Sequence, residues 1–167
     1  MAVEIEDRDL GWRAIADAVQ ALDGRSVLVG STGPEAAAPY VDPESGREND
    51  FHVALLLSWH EFGIGVPERS VVRAWADERP REFKDRTLVA PFAKALDSAG
   101  DGVGELEGVG ETLSKSMRTR LEAGISPGLS SATIANRDRP SELARDGREL
   151  PLLDSLQILG SLTFRVD

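Results

Sequence analysis

The chain has no cysteine, and only two of its 167 residues are histidine, His52 and His60. The first absence excludes disulfides, thiolate nucleophiles and cysteine-bound zinc, and leaves the redox compartment open. Cations are also short: 19 basic residues face 29 acidic ones, a net charge of -10 that opposes binding to the outside of a nucleic-acid backbone. No apolar run approaches the length that crosses a bilayer, and the opening MAVEIEDRDLGW has neither a basic region nor an apolar one of the kind that directs export. The expectation is a soluble protein made in the cytoplasm, with no membrane partner and with proteins as its partners. What remains is ample for a core, since 41% of the chain is hydrophobic and its length suits a single domain over 1–167.

Periodicity organises that domain. Trp12, Ile15, Val19 and Leu22 recur at helical spacing, with Asp7 or Asp9 available as cap and Gly24 as a left-handed stop. RSVLVGS reads as a short strand. The Pro-, Gly- and acid-rich stretch after it predicts an exposed acidic loop over 31–50, in which a hairpin between 38 and 52 would supply a further strand. Val53 to Trp59 is almost continuously apolar, so a buried helix is expected there, capped by Asp50 and ended by Gly63. A helix with Val72, Trp75 and Ala76 inward follows, then a second from about Pro80 to Leu96. Leu106, Val109, Leu113, Met117 and Leu121 step by three or four and define a long amphipathic helix. ISPGLSS caps a short helix at Thr133 to Arg137, a charged connector spans 138–150, and SLTFRVD alternates as a half-buried strand. The fold class is therefore α+β: several helices on a small antiparallel sheet formed by strands near Val27 and Phe164.

Reactive chemistry finds little support. His52 and His60 stand eight residues apart, about 12 Å along a helix, too far to share one metal. The metalloprotease pattern needs a second histidine after His60-Glu61, and Phe62, Gly63 and Ile64 come instead. GVGELEGVGE lacks both a preceding strand and a following Gly-Lys-Ser/Thr, so it reads as a glycine-rich helix start rather than a phosphate loop. The serines of SPGLSSAT lack a nucleophile elbow and are better explained as caps. No catalytic, metal or cofactor residue is assigned, and His60 and Glu61 are expected to finish a packed helix and orient the turn after it by hydrogen bonding to turn backbone.

Two separated blocks carry a more specific signal. His60, Glu61, Phe62, Gly63, Pro67, Arg69 and Arg73 form the first; Leu129, Ser130, Thr133, Ile134, Pro151, Leu152, Asp154, Gln157, Ser161 and Thr163 form the second. In this order and with this kind of spacing the chain resembles the neck and tail-completion proteins, also called virion morphogenesis or head-tail joining proteins, of long-tailed double-stranded DNA bacteriophages and prophages. That family carries an apolar helix ending in His-Glu-Phe-Gly, a Pro-x-Arg turn and a helix, then Leu-Ser-x-x-Thr-Ile and a terminal Pro-Leu-x-Asp-Thr-Gly segment. The chain departs from it at Val71, where an aromatic is usual, and at Ser155-Leu156, which replaces Thr-Gly.

The resemblance implies a non-enzymatic structural protein of the virion neck or tail. Its partners would be further copies of itself in a ring, a hexamer or a dodecamer, a portal or adaptor protein on the head side, and tail-terminator or tail-tube proteins on the other. Genomic DNA would pass through the lumen without specific binding. A tail-terminator ring is the neighbouring alternative, and a small metal-dependent hydrolase using His60 and Glu61 the remote one. Arg69 and Arg73 are expected either in local salt bridges to Glu61 or Glu68 or in pairs across a subunit boundary.

Overall fold

The β-branched segments near the two ends of the chain find each other. In the computed structural model, which describes residues 11–43, 45–78, 89–90, 93–94, 102–137, 151–153 and 156–167, strand β1 (Val27–Ser31) pairs antiparallel with β4 (Leu162–Val166). Val29 stands opposite Phe164 and Ser31 opposite Leu162. The strands are packed on one face by the long helix, Val103–Glu122, and Arg165 is left in solvent. With helix α1 (Trp12–Leu22) before this pair, the described residues hold seven helices and two two-stranded antiparallel sheets, an α+β fold.

The stretch 31–50 corrects the expectation of an exposed loop. It holds α2 (Gly33–Ala37), β2 (Pro39–Val41) and the first part of β3 (Glu48–His52), and the hairpin between 38 and 52 is real. Apolar periodicity could not reveal these elements because each is too short to show a period. Pro34 starts a single helical turn that buries Ala36. Tyr40 stacks on Phe51 at 5.7 Å, and Phe51 packs on Trp59 at 4.9 Å, so three aromatics tie the hairpin to the next helix. The Gln157 side chain completes the hold: its amide oxygen accepts from Val41 N at 2.8 Å and its amide nitrogen donates to Val41 O at 2.6 Å. Asp50 lies inside β3, and His52 takes the cap position of α3 (Val53–Phe62) instead.

Helices α3, α4 (Val72–Glu78) and α5 (Val103–Glu122) enclose the core with α7 (Gln157–Ser161), which runs directly into β4. Val53, Leu57, Val71, Trp75, Met117 and Leu121 are its main side chains, each fully buried large aliphatic contributing about 1.5–3 kcal/mol. Trp75 is inward as expected and Val72 packs against the core, but Val71, just before α4, is wholly buried and Ala76 is exposed. On α5 the expected apolar steps are inward. Gly110 extends that face, because a Cβ there would lie 2.2 Å from the Phe164 ring. Helix and strand approach closely only because that side chain is missing.

Helix α1 forms where its spacing required, following Gly11 and ending before Gly24 (φ 77). Its orientation differs from expectation: Ala18 is its buried residue, while Trp12, Ile15 and Val19 are 72%, 40% and 51% exposed. Helix α6 (Ser131–Arg137) starts under the Ser130 hydroxyl, which accepts from Thr133 N at 3.2 Å. Asp7, Asp9 and the connector 138–150 lie outside the described residues, as does most of the segment from Pro80 to Leu96, where positions 89, 90, 93 and 94 are helical.

Candidate functional site

The buried face of α3 runs Val53, Leu57, Glu61, which places a carboxylate where the pattern calls for an apolar side chain. Glu61 is tolerated there because its oxygens are met by donors on every side. Oε1 accepts from the Ser70 hydroxyl at 2.6 Å and from Arg73 N at 2.8 Å; Oε2 accepts from Val71 N at 2.7 Å and Val72 N at 3.1 Å. The three backbone donors are the otherwise unpaired amides at the start of α4, so one helix caps the next through a side chain. Burial alone pushes the Glu61 carboxyl up, but the bonds from Ser70, Arg73, Val71 and Val72 outweigh it and hold the pKa below its ordinary value.

Between the two helices the chain turns tightly. Gly63 ends α3 in the left-handed region (φ 67), and a Cβ there would sit 3.1 Å from that of Glu68. Ile64 N donates to Trp59 O at 2.8 Å and Arg69 N to His60 O at 2.7 Å, which closes the turn at both ends. Arg69 then buries its side chain and donates from Nε to Pro127 O at 2.8 Å and from Nη2 to Gly128 O at 3.2 Å. Arg73 donates to Glu61 O at 3.2 Å, pairs with Glu68 and lies 5.9 Å above the centre of the Phe62 ring. Of the two arginines, then, Arg73 takes the local salt bridge, and Arg69 grips a distant backbone.

A third arginine, Arg120 on α5, fixes the far end of α4. Its guanidinium donates to both Glu78 oxygens at 2.8 and 2.7 Å and to Ser70 O at 3.3 Å; the Glu78 bonds raise its pKa. Nothing in the sequence advertised this contact, because Glu78 and Arg120 are 42 positions apart in a chain rich in both charges.

Of the site residues singled out in the sequence, all but Asp154 lie among the described residues. His60, half-buried, supplies the carbonyl that holds Arg69 N; Phe62 and Pro67 are exposed at the rim of the turn. Ser161 is wholly buried, donating to Ile158 O at 2.8 Å and accepting from the Ser31 hydroxyl at 2.9 Å. Thr163 sits opposite Gly30 in the sheet, and Asp154 lies outside the described residues. Arg69 thus joins the turn of the first block to Pro127 and Gly128, just ahead of the second, while Ser161 and Thr163 serve the sheet elsewhere.

Every Glu61 oxygen is engaged by the α4 start, so as a base it would have to give up that cap. Among the described residues no group of three or more His, Asp or Glu side chains could hold a metal ion, and no helix is long and apolar enough to cross a membrane. At the outer edge of the braced turn, Phe62 and Ile64 stand 63% and 58% exposed. Comparisons with protein-family models, with curated proteins and with solved structures find no match to this chain.

Proposed function

We propose that the chain is a structural subunit of a ring at the head-tail junction of a long-tailed phage or phage-derived particle, linking the portal or adaptor to the tail and leaving a channel for DNA. The observation that carries this reading is the Arg69 bridge: the turn of the first motif block and the loop that opens the second, 58 residues apart, are one braced unit with apolar side chains on its rim. A rigid turn that presents Phe62 and Ile64 to solvent suits docking between subunits. The net charge of -10 suits a conduit, since acids facing the lumen would keep passing DNA from adhering.

Disrupting the encoding gene tests the reading. Lysates should then contain filled heads and finished tails that stay apart, and purified protein should restore joining. Tails of uncontrolled length would instead assign the protein to the tail-terminator position. Normally joined particles would contradict the proposal, as would Glu61→Gln particles that assemble normally but have lost a measurable hydrolytic turnover.

A further inference from the structure

Helix α4 has seven residues, and a helix that short is not stable in water unless its surroundings hold it. Three holds are visible. At its start, Glu61 of α3 accepts from Val71 N, Val72 N and Arg73 N and from the Ser70 hydroxyl. In its middle, Trp75 is buried and donates from Nε1 to the Ser116 hydroxyl of α5 at 3.2 Å. At its end, Glu78 accepts both Arg120 bonds. The two charged holds meet at Ser70, whose hydroxyl serves Glu61 and whose carbonyl accepts from Arg120 at 3.3 Å, so a shift in one disturbs the other. The β1–β4 pair is held by a separate set: its own ladder, and Arg118 of α5 donating to Leu162 O at 2.6 Å.

We propose that α4 is a releasable element of the fold: residues 71–78 undock as one unit, with Trp75 leaving the core, while α5, β1 and β4 stay assembled, and a proton on Glu61 is the trigger. A neutral carboxyl accepts less strongly and turns an O–H toward amides that are themselves donors, which leaves the start of α4 uncapped. The Arg120–Glu78 pair cannot hold the helix by itself, because Glu78 is exposed and an ion pair in solvent is worth little. The charged neighbours of Glu61 set the direction. His60 precedes it on α3 with its carbonyl bonded to Arg69 N, and Arg69 is engaged at Pro127 O and Gly128 O. Arg73 of α4 donates to Glu61 O and pairs with Glu68 of the turn, and Arg120 of α5 stands close enough for the Glu61 charge to raise its pKa. Burial pushes the Glu61 carboxyl up, and the four bonds it accepts bring it below 4.5. Helix α4 is therefore docked through neutral pH and is released as pH falls through the folded value. The release belongs to the fold of the single chain and needs no ring.

Native-state hydrogen exchange of the full chain, corrected for intrinsic rates, reads the release amide by amide. At pH 6 the amides of Trp75, Ala76 and Asp77 should exchange about tenfold or more faster than those of Met117 on α5 and Thr163 on β4, and should respond little to urea below the unfolding transition. Between pH 6 and pH 4 the α4 amides should show a further step of lost protection. Glu61→Gln should exchange at pH 6 at least as fast as the wild type at pH 4 and show no such step. Ser70→Ala, a milder change that removes one bond to Glu61, should move the wild-type step to higher pH. Amides of α4 that exchange with the rate and urea dependence of Met117 and Thr163 would overturn the proposal, because α4 would then open only with the whole fold. Separate opening of α4 with the same pH step in Glu61→Gln as in the wild type would overturn Glu61 as the trigger.

Discussion

Arg69 donates from Nε to the carbonyl of Pro127 at 2.8 Å, a buried cation holding a backbone oxygen 58 residues further along. The same fork reaches Gly128 O at 3.2 Å. Arg69→Ala leaves two carbonyls without this donor and should lower stability by about 2–3 kcal/mol in urea unfolding. Arg69→Lys keeps the charge without the fork and should recover less than half of that loss.

The Glu61 cap makes stability depend on pH in a defined direction. Its folded pKa lies below the ordinary 4.5, so the unfolded chain binds the proton more readily. The contribution is complete above about pH 4.5 and is lost as pH falls through the folded value. Glu61→Gln, which turns an amide N–H₂ toward backbone donors, should cost about 1–3 kcal/mol at pH 7. The gap in melting temperature between wild type and Glu61→Gln should narrow steadily below pH 4.5, and a gap independent of pH would contradict the assignment.

Two glycines on α5 should respond oppositely to the same change. A Cβ at Gly110 meets the Phe164 ring at 2.2 Å, so Gly110→Ala should destabilise by about 1–3 kcal/mol through overpacking. A Cβ at Gly108 meets nothing within 4 Å, and Gly108→Ala should stabilise by about 1 kcal/mol through helix propensity. Chemical denaturation of the two variants reads the contrast, and Phe164→Leu should relieve part of the Gly110→Ala cost.

Leu156 occupies the left-handed region (φ 57) at the position where the resembled family carries glycine. A side chain there costs about 1–2 kcal/mol. Leu156→Gly should therefore be more stable than Leu156→Ala by about 1 kcal/mol, the reverse of the usual helical order, as measured by urea midpoints.

These positions also mark how far the sequence could be read. The pairing of β1 with β4 was legible because Val27, Val29, Phe164 and Val166 alternate, and α5 because Leu106 to Leu121 hold their steps over four turns. Gly63 announced the end of α3 by its residue type. The hairpin was legible only as a suggestion within an expected loop, since ENDFH is polar and Pro39 lacks an amide proton to pair. The orientation of α1 was invisible: Trp12, Ile15 and Val19 show that an apolar face exists and are silent on what covers it. Of the site, the sequence pointed to His60 and Glu61 side chains bonding the turn; Glu61 instead caps the start of α4 through Val71, Val72 and Arg73 N, and His60 holds Arg69 N with its backbone carbonyl. The Arg69 bridge, the Glu78–Arg120 pair and the Gly110–Phe164 approach join distant segments, and no local pattern encodes such meetings.

The mass of the purified protein in solution, by native mass spectrometry alone and after mixing with candidate phage neck and tail proteins, decides whether the chain is the proposed ring subunit. A ring subunit should give a closed homo-oligomer of one stoichiometry, formed by the protein alone or on addition of a partner. A strict monomer indifferent to every such partner would contradict it.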